Sequence, residues 1–589
     1  MVQSVYAILS TGSFIMNIIH GGSWETKKKA KIDERDKQFR KEWLIDQSLL
    51  NNINENSTIS ILDLHFKTGI LTDKEIEITQ SKKITDLLSK IHSGELTSLE
   101  VTIAFCKRAQ ISQQLTNCLT EVMFNEAIER AKYLDDYFTT NNGKIIGPLH
   151  GLPISVKDCF ALPNFDSTTG LISFIGNKDI PNNFASLPRQ LYDLGAVFYV
   201  KTNVPQFMMT CDSDNNLFGR TLNPLNLSLT AGGSSGGEGC ILGQHGSILG
   251  IGSDIGGSIR IPSMACGVYG FKPSSDSIPF DGMVEPNKVD QTGNGLECTT
   301  GPLSVSMDGI EIFLKTIFDS NPSNYDKSLK KTSFNHDLYN QFKDKKNCRI
   351  GLLLEDPQFP IHPTIKYNLL KQAEILKNQG FEIIDLTDKF QSLYTLWNHA
   401  VRSITLDIFL PTLWGLMKTG EPPAPSLNTL YSDSFGLPPF TKNGVHNLLL
   451  ERKEIRNIWN SLFDDSQLDA IISPGCHSTA PAHDTYGIPL YTTIWNVTNY
   501  PACVIPCGDS VGSIEDAEIV KSINNLKESL NIKTSYLKEN EKSYAFCFNE
   551  YNSSILKNGK PHIQVVTKYF EDEKLLAICK TIDSIINDI

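Results

Sequence analysis

Two clusters of glycine and serine, GGSSGG at 232–237 and GGS at 256–258, stand about one supersecondary unit apart in this chain. Glycine admits positive φ and lets backbone approach another group closely. A fold that accommodates both clusters can therefore bring bare backbone and serine hydroxyls to one spot. Three other readings compete. Such clusters are often plain turns. The first also satisfies Gly-x-Ser-x-Gly, the nucleophile elbow of α/β-hydrolases. That elbow needs a strand just before it, whereas NPLNLSLT precedes the cluster here, and no later stretch singles out an Asp and a His. A phosphate cradle would need a lysine after the glycines, which is missing.

Composition narrows the classes. At 589 residues, 40% hydrophobic and 20% charged, the chain can bury a large core. A net charge of -12 argues against nucleic-acid binding, which calls for a basic surface, and suits neutral small molecules. The 13 cysteines include no Cys-x-x-Cys pair, so reduced, buried thiols and a cytoplasmic location are expected. No metal-binding, nucleotide-triphosphate or dinucleotide motif is present, and neither metal nor cofactor is expected. Residues 5–19 are apolar but interrupted by Ser10, Thr11, Gly12, Ser13 and Asn17. They fall short of the about 20 residues that a spanning helix needs. A soluble chain is predicted, with peripheral membrane contact as the alternative.

Residues 25–50 are charge-rich and read as an exposed helix. Thr97 with Glu100 forms a capping box before VTIAFCKRA, and a second helix is predicted over 125–138. LPISVK (152–157), VFYVK (197–201), RIGLLLE (349–355), FEIIDL (381–386), LDAIISP (468–474) and ACVIP (502–506) read as buried strands. A helix with Pro363 near its start and Gly380 past its end lies between two of them. This alternation predicts an α/β fold, a large twisted mixed sheet covered by helices on both faces. The best linker is the polar stretch 320–347.

The clusters, with 24 residues from Ser234 to Ser258, with SDIGGSIRIPS around the second serine and HGLPISVKD upstream, resemble the amidase-signature family. Glu238 and Ile255 are similar to the eukaryotic branch. ITDLLSKIHSGELTSLEVTIAFCKRAQISQQLTNCLTE and YTTIWNVTNYPACVIP look most similar to fungal acetamidase-type general amidases, with fatty-acid amide hydrolase next. The resemblance implies an extension over 1–80 and a catalytic domain over 81–589, its motif core at 150–275. It further implies Ser258 as nucleophile, Ser234 as proton relay and Lys157 as base, Ser235 supporting. Backbone amides of Ile255, Gly256, Gly257 and Ser258 are oxyanion candidates, and Met208 sits where the family places backbone near substrate.

The chemistry of these residue types is coherent. A lysine is a base only when neutral, and burial lowers its affinity for a proton. A hydroxyl both donates and accepts, which suits a relay. Asp254 and Arg260 read as braces of the turn. Cys159, Cys211, Cys240 and Cys266 read as small buried residues, and His150 and His245 as structural. Acyl preference is expected to depend on residues within 385–500, such as Trp397, Phe409, Trp414 or Trp495. The expected partner is a small amide substrate, with a homodimer possible. Alternatives are a lipid-amide hydrolase, a catalytically silent scaffold and a transamidation subunit.

Overall fold

The computed structural model describes residues 23–179, 183–284, 295–331, 333–390, 392–427, 441–533, 542–545 and 549–587, with only the backbone for 407–414. The apolar segment at 5–19 and the side chains of Phe409 and Trp414 lie outside the described residues.

The strands are β1 (Leu119–Val122), β2 (Pro153–Lys157), β3 (Val197–Thr202), β4 (Leu249–Asp254), β5 (Tyr269–Lys272) and β6 (Thr299–Ser304). They continue with β7 (Arg349–Leu352), β8 (Glu382–Asp385), β9 (Ala470–Ser473), β10 (Ala502–Pro506) and β11 (His562–Val566). All join one mixed sheet in the order β1-β3-β2-β4-β6-β5-β10-β11-β9-β7-β8. β2 runs parallel to both β3 and β4, and β7 parallel to β8 and β9. The strands between β4 and β9 are antiparallel to their neighbours. Every residue of β2, β3, β4, β6, β9, β10 and β11 is buried. Successive side chains of a strand face opposite ways, so unbroken burial means both faces of the sheet are covered. The α/β expectation holds.

Lys157 ends β2, and Asp254 ends the parallel neighbour β4, with Val156 paired to Ile251. Carboxyl ends of adjacent parallel strands are where such sheets collect ligands. Two short helices, Gly236–Gly243 and Arg260–Cys266, follow the two glycine clusters. A Cβ at Gly239 would lie 2.7 Å from the Pro262 carbonyl oxygen, so glycine is what lets the helices touch. That contact carries the two clusters toward each other.

Thr97 caps the helix Ser98–Thr116 through a complete capping box with Glu100. Pro363 opens the helix Pro363–Asn378, and Gly380 follows it at φ +102. Two expectations fail. Residues 25–50 are not one exposed helix. They form the helix Ser23–Asp36, a single turn at Lys41–Trp43 and the short helix Gln47–Leu50. Lys31 and Arg35 of the first helix are buried. The charged pattern concealed this because Lys31 pairs inside with Glu121 at 2.5 Å and Asp166 at 2.8 Å. Nor is 320–347 a linker. It contains the helix His336–Phe342, and Phe334, Tyr339 and Phe342 join the main core.

Candidate active site

Lys157 is fully buried, 0% exposed. Its Nζ donates to Ser234 Oγ at 2.7 Å and to Ser253 Oγ at 2.8 Å. Burial lowers its proton affinity below the ordinary lysine value; Cys159, Cys298, Asp254 and Glu238 oppose the shift. Asp158 turns away from the ammonium, as its place after an extended strand suggests. Its Oδ2 accepts from the Thr169 amide at 2.6 Å. Glu238, also buried, accepts from Ser155 Oγ at 2.5 Å and Thr202 Oγ1 at 2.7 Å. Burial pushes its carboxyl up to about 7.

The second cluster is a rigid turn. Asp254 Oδ1 accepts from the Gly257 amide at 2.8 Å, and Oδ2 from the Ile259 amide at 3.1 Å. Arg260 pairs with the same carboxylate at 2.9 Å, both side chains 0% exposed. Its guanidinium also donates to the Thr492 carbonyl and Gln564 Oε1 through Nη1 and to Asn496 Oδ1 through Nη2. Burial alone would raise the Asp254 carboxyl, but Arg260 overrides it and holds the group well below the usual range. Gly257 has φ +126, and a Cβ there would fall 2.4 Å from Thr492 Oγ1. The turn therefore admits only glycine at 257. The Ser235 amide donates to the Ser258 carbonyl at 3.1 Å and ties the clusters together.

Ser258 is half-buried on a cavity of about 50 Å³. Met208, Met209, Thr210, Cys211, Gly233, Ile255, Gly256 and Ile261 line it together with Trp397, Val401, Ile404, Pro489 and Thr493. The structure thus gathers Met208, Ile255, Gly256 and Ser258 around one cavity, and bonds Ser234 to Lys157. Gly257 and Ser235 brace that arrangement. Trp495 is buried in the core beside Trp459 and does not line the cavity.

Comparison with known proteins shows the family. The amidase family profile, described as "Amidase", matches residues 100–410. A protein of Gibberella moniliformis named "Amidase" is 34% identical over 84% of this chain and 92% of its own length. The chain belongs to the amidase family. An "Acetamidase" of Emericella nidulans is 30% identical to this amidase over 96% of the chain and 99% of the relative. Among solved structures, a "Fatty acid amide hydrolase" superposes on this amidase with TM-score 0.84 and 27% identity, over 97% of this chain and 96% of the other.

Sequence reasoning missed two polar residues of this amidase, Ser253 and Glu421. Ser253 holds Lys157; its only signal is a hydroxyl near the end of β4, two positions before Ile255. Glu421 lies far from every motif. Cys159, Cys240 and Cys266 are buried away from the cavity, but Cys211 lines it, which its small size alone did not announce. The His150 Nδ1 accepts from the Ile146 amide, and neither it nor His245 reaches the cavity. Among the described residues no two cysteines form a disulfide, and Cys547 lies outside them. Among the described residues no cluster of His, Cys, Asp or Glu suits a metal ion, and no helix is long and apolar enough to cross a membrane.

Proposed function

We propose that this amidase cleaves linear carboxamides to carboxylate and ammonia or amine through an acyl-enzyme on Ser258. The observation that carries the reading is the buried Lys157 Nζ, 2.7 Å from Ser234 Oγ, behind a cavity that exposes Ser258. A neutral amine has two N–H groups and one lone pair. Ser253 takes one N–H, and the Ser234 hydroxyl can turn its proton toward the lone pair. Ser234 then receives the Ser258 proton as Ser258 attacks the carbonyl, and Lys157 becomes cationic. The proton returns by the same route to the departing nitrogen, which an amide requires because an amine anion leaves poorly. Water, deprotonated along that path, releases the acid.

The amides of Ile255, Gly256 and Ser258 are the donors for the oxyanion. An oxyanion would compete with Asp254 for the Gly257 N–H, so Gly257 serves better as the hinge of the turn. Each well-placed donor of such a hole contributes about 3–4 kcal/mol to lowering the barrier.

Ser258→Ala is expected to abolish amide hydrolysis and fluorophosphonate labelling while the fold persists. A label that persists and maps to Ser235 would mean that the elbow geometry governs instead. A lipid-amide hydrolase is the second reading, favoured by the similarity to the solved fatty acid amide hydrolase. Rates across acetamide, aromatic amides and long-chain acyl amides, measured on the purified chain alone, separate the two and exclude a role that needs partner subunits.

A further inference from the structure

The two walls of the cavity come from distant parts of the chain and are joined at a buried polar contact that the chemistry above does not use. On one side, Gln206 precedes Phe207 and Met208, which adopt φ 63 and φ 59. Two successive non-glycine residues in the left-handed region persist only where their surroundings over-determine them, and such strain gathers at ligand-facing segments. Here the strained pair leads into Met208, Met209, Thr210 and Cys211 of the cavity. On the other side, the helix Leu393–Thr419 supplies Trp397, Val401 and Ile404, and the chain runs on through Gly420 to Glu421.

Gln206 and Glu421 are both fully buried. Gln206 Nε2 donates to Glu421 Oε1 at 2.5 Å and to the Pro422 carbonyl at 3.1 Å, while its Oε1 accepts from the Ala424 amide at 2.7 Å. Glu421 Oε2 accepts from the Ile172 amide at 2.6 Å. The Phe207 ring packs with Leu171, Leu416 and Leu427, and a Cβ at Gly415 would lie 3.1 Å from it. The end of the long helix is thereby fastened to the strained turn by complementary hydrogen bonds and by close packing beside them.

We propose that the Gln206–Glu421 pair is a positioning device that sets the width of the acyl cavity, and that the cavity so set admits short aliphatic acyl groups. The free space of about 50 Å³ in this cavity is far below the roughly 300–1,000 Å³ of pockets that enclose drug-sized ligands, which favours short acyl groups. Loosening the clamp lets the Trp397 wall and the Met208 wall separate. Substrate is then held less closely, while Lys157, Ser234 and Ser258 keep their own bonds. The inference rests on Ser258 as the acylated residue.

The test is a chain-length series from acetamide to octanamide on wild type, Gln206→Ala, Glu421→Ala and the exchange Gln206→Glu with Glu421→Gln. Wild type is expected to favour the short amides. The alanine variants should raise KM for them by about 10- to 100-fold, the scale of a displacement near 1 Å, and flatten the preference along the series. Labelling of Ser258 by a small fluorophosphonate should stay near the wild-type rate. The exchange variant recreates a donor opposite a carboxylate, with the Ala424 and Ile172 amides still served but the Pro422 carbonyl left without its donor, and should restore part of the short-chain preference. It also covers the case in which the alanine variants do not fold. A wild-type optimum at octanamide, or folded variants with an unaltered chain-length profile, would overturn the proposal, as would an exchange variant that folds without the preference. Absence of labelling at Ser258 in wild type would instead remove the catalytic reading beneath it.

Discussion

The two walls around Ser258 are built by different forces. The turn from Asp254 to Arg260 is held by a buried ion pair, two backbone amides on one carboxylate and a glycine pressed on Thr492. The facing wall of Trp397, Val401 and Ile404 presents apolar side chains from one helix, and the polar contacts of that helix, Arg402 with Glu451 and Arg452 with His399 and Ser403, lie outside the cavity lining, as does Glu421 beyond its end. Hydrogen bonds are directional, and a partner left behind in the interior is costly. Apolar contacts are numerous, individually small and without fixed direction. One wall therefore defines where the reacting atoms go and accepts almost no change. The other defines what fits and can change by degrees.

The contrast breaks most sharply at Lys157. Lys157→Ala should lower amide turnover roughly 100- to 10,000-fold, the range of general acid–base catalysis, and lower ester turnover less, since an alkoxide leaves with less help. Because burial depresses its proton affinity, the neutral base is present above its titration and lost as pH falls through it. Wild-type kcat/KM should fall on acidification along a limb well below the reference lysine value near 10.4. Equal losses on amide and ester with an unchanged pH profile would take Lys157 out of the proton path.

Next comes Arg260. Arg260→Leu strands the Asp254 carboxylate and should cost about 3–5 kcal/mol in denaturant unfolding. The pH dependence carries a sign. In wild type the folded carboxyl titrates below its unfolded value near 3.9. Its stabilisation is therefore present above that value and lost as pH falls through the folded one. Without Arg260 the cost of burying the charged carboxylate is no longer offset by its ion pair, so the variant should recover stability on acidification where wild type does not. A variant as stable as wild type at pH 7 would show that the pair braces nothing. The smallest effect is expected at Val401→Ala, which removes about 1–2 kcal/mol of apolar burial and leaves turnover of short amides largely intact. A loss there as great as at Lys157 would erase the distinction between the walls.

The same division explains what the sequence disclosed. The polar wall is written in residue types with few alternatives: glycine where a Cβ would collide, serine where a hydroxyl must sit, lysine at a strand end. LPISVK and the two glycine clusters were therefore legible, and so was the capping box at Thr97. β4 and β6 were not. LGIGSD and TTGPLS carry glycine and proline that weaken any strand signal, and the two are strands because they pair with each other along six positions. Trp397 and Trp495 looked alike as apolar residues, but one lines the cavity and the other lies in the core. Gln206 and Glu421 stand 215 residues apart, so only the folded chain brings them together.

The buried Lys31 has a practical meaning for anyone producing or trimming the protein. Among the described residues, no buried ammonium other than Lys31 of the helix Ser23–Asp36 is bonded to the carboxylates of Glu121 and Asp166. A fragment beginning after Asp36 would have to bury those two carboxylates without that counter-ion. A purification tag or protease site belongs ahead of Ser23; a cut placed a dozen residues later would remove a counter-ion from the middle of the molecule.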